Sequence, residues 1–346
     1  MVEKASRIEA REGMRFSNRL RAMVSARETG VFVALILMCV FLSFSSPAFL
    51  QSRNLLNVGR QISLIGIMAV GMTLVLIARE IDLSVGSIYA LAGLSAGMLL
   101  VAGTNLWLAL LAGLVVGGGV GLLNGWLSTY GRLPSFITTL GMLSVARGVA
   151  LLLTNGQPVT INAAAGVEPT ALEIFYYLGQ GRLFDMIPMQ LLFFVLTAIG
   201  GWLLLSRTVF GFRVYAVGGN EKAARVSGIN VFRTKVWVFA IMGFLSALAG
   251  ILSLAFLPSG QAGRTGVGLE LDVIAAAIVG GASLSGGEGT ILGTVLGVLI
   301  IGVLRNGLVL MGISPFWQET VIGLVIILAV GIDKWTSSRR ARSRLP

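Results

Sequence analysis

The 346-residue sequence predicts an all-α protein that crosses a membrane many times. Three observations carry this. Hydrophobic residues make up 55 % of the chain and charged residues 12 %, about half the charge of a soluble domain. Mean hydropathy is +0.89. Apolar runs of about 18 residues or more recur from end to end, the length a spanning helix requires. The 46 glycines fit the same class, because small residues let helix backbones approach closely inside a bilayer.

Composition also excludes. The net charge of +11 sits in loops and tails, so it reports orientation, and nucleic-acid binding is not expected. The single cysteine, Cys39, lies inside the first apolar run, so no disulfide forms within the chain. With no histidine, imidazole proton shuttles and His-ligated metal sites are ruled out, and no metal or cofactor is expected.

Residues 1–30 hold seven basic and four acidic side chains. Arg7, Arg11, Arg15 and Arg19 recur at helical i, i+4 spacing, with Ile8, Phe16, Leu20 and Met23 free to meet lipid. This is a basic segment at the cytoplasmic surface, either an amphipathic helix or a disordered tail. A single membrane domain is expected over 31–335, followed by a basic tail, 336–346. Ten spans are expected within it, at about 31–49, 62–78, 85–102, 107–128, 136–154, 187–205, 236–257, 271–284, 289–311 and 316–332.

An even count with a basic N-terminus inside places both termini in the cytoplasm. The tail residues Lys334, Arg339, Arg340, Arg342 and Arg344 agree, as do Arg79 and Arg132. The long loop 155–186 falls outside, with Arg182 against Glu168, Glu173 and Asp185. Arg53, Arg60 and Arg264 also fall outside, against the positive-inside trend. Something other than the cytoplasmic leaflet holds them, either lipid phosphates or the acidic side chains of a docking partner.

Parts of the chain repeat. Glu80-Ile81-Asp82 opens the third span and Glu270-Leu271-Asp272 the eighth. Asn124-Gly125 closes the fourth, and Asn306-Gly307 nearly closes the ninth. The span count puts Glu80 inside and Glu270 outside, so spans 2–5 and 7–10 would form an inverted-topology repeat, a transporter signature. Recurrence of short Gly-, Asn- and Pro-bearing patterns by chance is the alternative. Glu80, Asp82, Glu270 and Asp272 sit at expected span ends, where helix N-termini or water can hold them. Helix capping is the plain role, a proton or ion relay the functional one.

Leu284-Ser285-Gly286-Gly287-Glu288 looks like the signature loop of ABC ATPases. Here it lies between two apolar spans, and the chain has no Gly-x-x-x-x-Gly-Lys-Ser/Thr to cradle phosphates. It is read as a tight turn at Ser285–Gly289, and the chain is not an ATPase.

The polar stretch 206–235 carries six basic residues and one acid. Asn220 suits an N-cap, Glu221 a first helical turn and Gly228 a left-handed C-terminal cap. Two turns of helix are not stable alone, so this one packs against the rest of the chain or a partner. On composition alone it is an ordinary cytoplasmic loop or a docking element. The side bearing Ala223, Ala224 and Val226 is small and apolar, fit to enter a groove. Arg207, Arg213 and Arg233 flank it.

Three stretches together carry a family resemblance: Glu80-Ile81-Asp82-Leu83-Ser84-Val85-Gly86-Ser87, Gly218 through Ile229, and Glu270-Leu271-Asp272-Val273-Ile274-Ala275-Ala276-Ala277-Ile278-Val279-Gly280-Gly281 running on to Gly289. Over about residues 50–335 the chain resembles the membrane permease of bacterial ABC importers for ribose, galactose and arabinose. More distantly it is similar to permeases for branched-chain amino acids. The resemblance implies an inner-membrane permease working as a homodimer. It also implies two cytoplasmic ABC ATPases, which bind the ATP, and a periplasmic sugar-binding protein. In the same way it makes Asn220, Glu221, Lys222, Ala223, Ala224, Arg225, Val226, Ser227 and Gly228 the coupling helix docked on the ATPase. Arg53, Arg60 and Arg264 are the binding-protein docking candidates. Glu80, Asp82, Asn124, Glu270, Asp272 and Asn306 are helix-end or pathway candidates. An ion-coupled secondary transporter and a membrane scaffold are the readings from other classes.

Overall fold

The computed structural model describes residues 26–314 and, beyond these, 316–318, 320–325, 327, 328, 330 and 331. The basic segment 1–30 therefore lies almost wholly outside the described residues, and the tail 336–346 entirely so. The described helices are α1 (Ala26–Ser45), α2 (Ser52–Ile77), α3 (Val85–Val101), α4 (Leu106–Thr129), α5 (Ser135–Thr154), α6 (Pro169–Gln180), α7 (Met189–Arg207), α8 (Val209–Gly219), α9 (Glu221–Val226), α10 (Val231–Phe256), α11 (Leu269–Val279) and α12 (Ile291–Leu310). Residues 320–325 are also helical, within the expected tenth span. Four two-residue strands form two small antiparallel pairs. β1 (Val159–Thr160) pairs with β4 (Ser259–Gly260), and β2 (Arg182–Leu183) with β3 (Ile187–Pro188).

Seven of the described helices, α1, α2, α4, α5, α7, α10 and α12, are long and apolar enough to cross a membrane. Helix α3 has 17 residues. Helix α11, expected as a span over 271–284, has only 11. At 1.5 Å per residue it covers about 16 Å, half of a hydrocarbon core. The chain leaves the helix at Gly280 and Gly281, and the sequence pattern hides this because residues 280–284 carry no charge and glycines are common within the spans of this chain.

Helices α2 and α10 form the centre and are mostly buried, whereas α1 and α7 are mostly exposed. Gly117, Gly121 and Gly125 recur every fourth residue on α4 and face α10. A Cβ at Gly121 would overlap the Phe239 carbonyl oxygen, and one at Gly243 would overlap that of Gly117. The two backbones are in contact along this seam, the close approach small residues permit in a bilayer.

The helices α8 and α9 and the turn 283–290 gather at one end of the bundle. Helix α6 and both strand pairs lie at the other. Residues 170 and 220 are thus at opposite ends, in keeping with the expected topology. Helix α6, with the Glu168 carboxylate capping the Thr170 and Ala171 amides, is an addition inside the long loop. Its sequence is amphipathic but short, and its stability comes from packing on α10 and α7.

Both short helices begin at mid-depth. Ile88, in the first turn of α3, packs on Gly117, the middle of α4. A Cβ at Gly86 would overlap the Gly266 carbonyl oxygen and touch the Glu270 carboxylate. The start of α3 is reached from the α9 end through non-helical residues 80–84. The start of α11 is reached from the α6 end through non-helical residues 257–268. Glu80, Asp82, Glu270 and Asp272, expected at span ends, therefore lie along or at the foot of chain that enters the bundle. The expected starts, 85 and 271, lie within two residues of those observed, and what hydropathy does not show is that both starts lie at mid-depth.

Candidate coupling surface

Helix α9 is built by its caps. Asn220 has extended backbone, and its Oδ1 accepts from the Ala223 amide at 3.0 Å. Gly228 takes φ +82°, and the Ile229 amide donates to the Ala224 carbonyl at 3.0 Å. Both signals are those read from the sequence. The outward face differs from expectation in one residue. Ala224 is buried with Val217 and Val231, backed by Ala216, Ile229 and Phe232. The apolar side chains left outward are Ala223 and Val226, the latter 90 % exposed. A helix this short can present only one face, and the other must pack on α8 and α10 to hold it.

Side chains pin α9 to the bundle. Glu221 binds Arg225 one turn on at 3.1 Å, and Arg225 lies over the Phe232 ring. Phe232 meets Tyr130, at the end of α4, edge-on. Glu221 also binds Lys235 Nζ at 2.9 Å, and the same ammonium binds Glu80 at 2.6 Å. Lys235 and Glu80 side chains are both 13 % exposed, against 42 % for Glu221. The buried pair is firm and the Glu221 arm is the solvent-facing one. The hydrogen bond from Lys235, then the surrounding positive charge, hold the Glu221 carboxyl below its ordinary range. Lys235 is the residue sequence reasoning misses. It reads only as one of the basic residues of 206–235, because a contact across 155 positions, to Glu80, leaves no local signal.

The turn after α11 locks the same region. Gly286 and Gly287 take φ +79° and +74°, conformations that favour glycine. The Gly287 amide donates to the Ile77 carbonyl at 2.9 Å, and the Tyr215 hydroxyl donates to the Gly289 carbonyl at 2.7 Å. Gly218 packs so closely on the Ile77 carbonyl that no Cβ fits. The sequence that imitates an ATPase signature loop is a tight turn under α8.

The paired acids fall into two nodes. Asp82 and Asn124 are fully buried. Asp82 Oδ1 accepts from the Ser84 amide at 2.8 Å and its hydroxyl at 2.6 Å, and Asn124 Nδ2 donates to the Ser84 hydroxyl at 2.8 Å. Ser84, not Asp82, is the N-cap residue of α3. In the second node Arg305 of α12 donates to both Asp272 oxygens, at 2.8 and 2.9 Å. Asn306 beside it exchanges two hydrogen bonds with Asn54 of α2. Glu270 lies at the first turn of α11, close enough to act electrostatically on Arg147 of α5.

The docking candidates are separated. Arg53 is exposed at the start of α2. The Arg60 guanidinium lies 5.0 Å from the Phe256 ring centroid, so its head is partly engaged within the chain. Arg264 is on the stretch 257–268 that enters the bundle.

A helical bundle with a capped helix pinned at one face, and acids consumed in structural pairs, is the body of a membrane permease. The chain belongs to the transport family described as "Branched-chain amino acid transport system / permease component", which matches residues 54–330. Ribose import permease protein RbsC of Bacillus subtilis is 43 % identical, covering 90 % of this chain and 94 % of that protein. RbsC of Escherichia coli K12 is 41 % identical, covering 87 % and 92 %. Xylose transport system permease protein XylH of Escherichia coli K12 is 36 % identical, covering 89 % and 92 %. A chain of an inward-facing metal-chelate-type ABC transporter shares the fold, with TM-score 0.51 and 16 % identity over 89 % of this chain and 98 % of that one.

Proposed function

We propose that this chain is the membrane permease of an ATP-driven pentose importer. The observation that carries the reading is similarity over nearly the full length to permeases named for ribose and xylose, both five-carbon sugars. In this reading two copies enclose the path in the inner membrane, with both termini cytoplasmic. A cytoplasmic ABC ATPase docks on α9 through Ala223 and Val226, and a periplasmic sugar-binding protein meets Arg53 and Arg60 at the opposite face. Displacement of α9 passes through Glu221 and Lys235 to Glu80, ahead of α3. The chain performs no covalent chemistry. ATP hydrolysis belongs to the partner.

The ion-coupled alternative needs acids that can take up and release a cation. Glu80 and Asp272 are engaged with Lys235 and Arg305, which favours the ATP-driven reading.

The test is ribose uptake into proteoliposomes holding the chain, its ATPase and its binding protein. Ala223→Glu puts a charge into the proposed contact without touching the buried side of α9. Uptake per ATP should fall about tenfold or more, as a desolvated unpaired charge costs more than about 1.4 kcal/mol. Wild-type uptake by Ala223→Glu, or gradient-driven uptake by the chain without any ATPase, rejects the proposal.

A further inference from the structure

Residues 257–268 are non-helical, and they run from the α6 end of the bundle to its middle. β4 enters beside β1 at the α6 end, Gly260 packs on Leu94, and Gly266 packs on Gly86 and Tyr89. From Leu94 to Gly86 the descent along α3 is about 12 Å. The chain is held in turns. Thr265 Oγ1 accepts from the Gln261 amide at 3.1 Å, and the Thr265 amide donates to the Gln261 carbonyl at 2.8 Å. Arg147 of α5 reaches across to donate to the Ala262 carbonyl at 2.7 Å and to the Thr265 carbonyl.

One side of this stretch is open. Gly263, Arg264 and Val267 are exposed, although they stand level with the inside of the bundle. Leu151 of α5 approaches Gly263, and one turn before Arg147 on the same helix Ser144 is exposed. Hydrocarbon cannot cover this face. Irregular backbone at membrane depth is tolerated only inside protein or beside water, and the charges of Arg147, Arg264 and Glu270 add to the penalty. Behind the stretch lies a cavity of about 190 Å³, lined in part by Tyr89, Ser253, Ser259 and Thr265. Its hydroxyls suit water. The corresponding approach to α3, residues 80–84, has no comparable open side, since Asp82 and Ser84 are fully buried.

We propose that residues 261–270, backed by Arg147 and Ser144 of α5, form the sugar-contacting constriction of the translocation path. The proposal rests on the permease reading above and locates its path on the chain. The ligand is a neutral polyhydroxylated monosaccharide. Exposed turn backbone, the Thr265 hydroxyl and the exposed Arg264 guanidinium offer it donors and acceptors. Such contacts exchange readily with water, which a passage requires. Arg264 thus serves the path and not the docking of the binding protein. The open face meets the same face of the second copy, and the two enclose the water.

The experiment uses the complete transporter in a Cys39→Ser background. Thr265→Cys, Ser144→Cys and, on the lipid-facing side of α7, Leu196→Cys are treated with a charged, membrane-impermeant thiosulfonate. The reagent needs an ionised thiol in water, so Thr265→Cys and Ser144→Cys should react about tenfold faster or more than Leu196→Cys. Ribose uptake should fall on modification at Thr265→Cys. Equal, slow reaction at all three positions overturns the proposal, as does full uptake after complete modification at Thr265→Cys. Cross-linking of Ala223→Cys to the ATPase is measured in parallel. If it forms while Thr265→Cys stays unreactive, the path is elsewhere and the permease reading stands. If it does not form, the permease reading itself fails.

Discussion

The two places where non-helical chain enters the bundle start from nearly the same motif and end in opposite solvent. Glu80-Ile81-Asp82 leads into α3 through a dry interior. Asp82, Ser84 and Ser87 are all fully buried, and Asp82 is held by the hydroxyl and amide of Ser84, whose hydroxyl in turn accepts from Asn124. Glu270-Leu271-Asp272 opens α11 beside an exposed stretch, and both Asp272 oxygens accept from one guanidinium nitrogen, Nη2 of Arg305. Similar acids are thus stabilised by dipoles in one place and by a full opposite charge in the other. Among the described residues the partners of Asp82 are neutral, and the cation of this approach, Lys235, binds Glu80 two residues earlier. The second node is an ion pair and depends on a charged carboxylate.

That contrast gives four expected outcomes. The largest effect is at the ion pair. Asp272→Ala should lower stability by about 3–5 kcal/mol, because it leaves the partner guanidinium without its carboxylate in a largely buried site. Combining it with Arg305→Met should recover most of the loss, as read by thermal unfolding of the solubilised protein. Failure of the double variant to recover would mean the node is not organised around this pair.

Next is the point where the two inward-running stretches touch. Gly86→Ala places a Cβ in the Gly266 carbonyl, which cannot move without shifting the turns behind it. A cost of about 1–3 kcal/mol is expected. Gly219→Ala, where a Cβ meets nothing within 4 Å, is the control and should be close to silent.

Asp82→Asn should be mild, below about 1 kcal/mol, since the amide keeps an acceptor toward Ser84 and the partners of Asp82 are neutral. A loss as large as that of Asp272→Ala would erase the distinction between a dry and an ionic node.

Smallest is the pH response of Glu221 at the proposed coupling surface. Its folded pKa is depressed, so its contribution is fully present above the ordinary carboxylate value and is lost as pH falls through the lowered one. Protection of the α9 amides, taken relative to the intrinsic exchange rate at each pH, should therefore fall on acidification below about pH 4. Glu221→Gln should already exchange faster at neutral pH and lose the acid step. The Glu221 side chain is 42 % exposed, so screening keeps the effect small.

What is legible in the sequence is local. Asn220 and Gly228 announce α9 because a cap is decided within four residues. Ser285–Gly289 announces a turn because successive glycines permit φ values other residues avoid. The class follows from hydropathy, which sums over whole helices. The inward-running stretch 257–268 is not legible as such. Pro258 and the glycines at 260, 263, 266 and 268 say only that the chain turns there, and an outside loop has the same composition as one that dips into the bundle. The inward side of α9 and the Lys235 triad depend on neighbours far along the chain. The amphipathic α6 escapes notice because its 12 residues carry too short a pattern to stand out from a loop.

Helix α10 puts the proposed coupling surface and the open stretch in mechanical series. It runs unbroken for 26 residues, with Lys235 in its first turns and the start of β4 just past its last. Its length is about 39 Å. A rigid rod of that length pivoting by about 5° at one end carries the other through roughly 3 Å, the width of a water molecule. At the glycine seam with α4 the backbones touch at Gly121 and Gly243, which leaves little side-chain give to absorb such a tilt. A nudge at the α9 surface too small to notice locally is therefore the size of a hydration shell where Pro258 begins the descent.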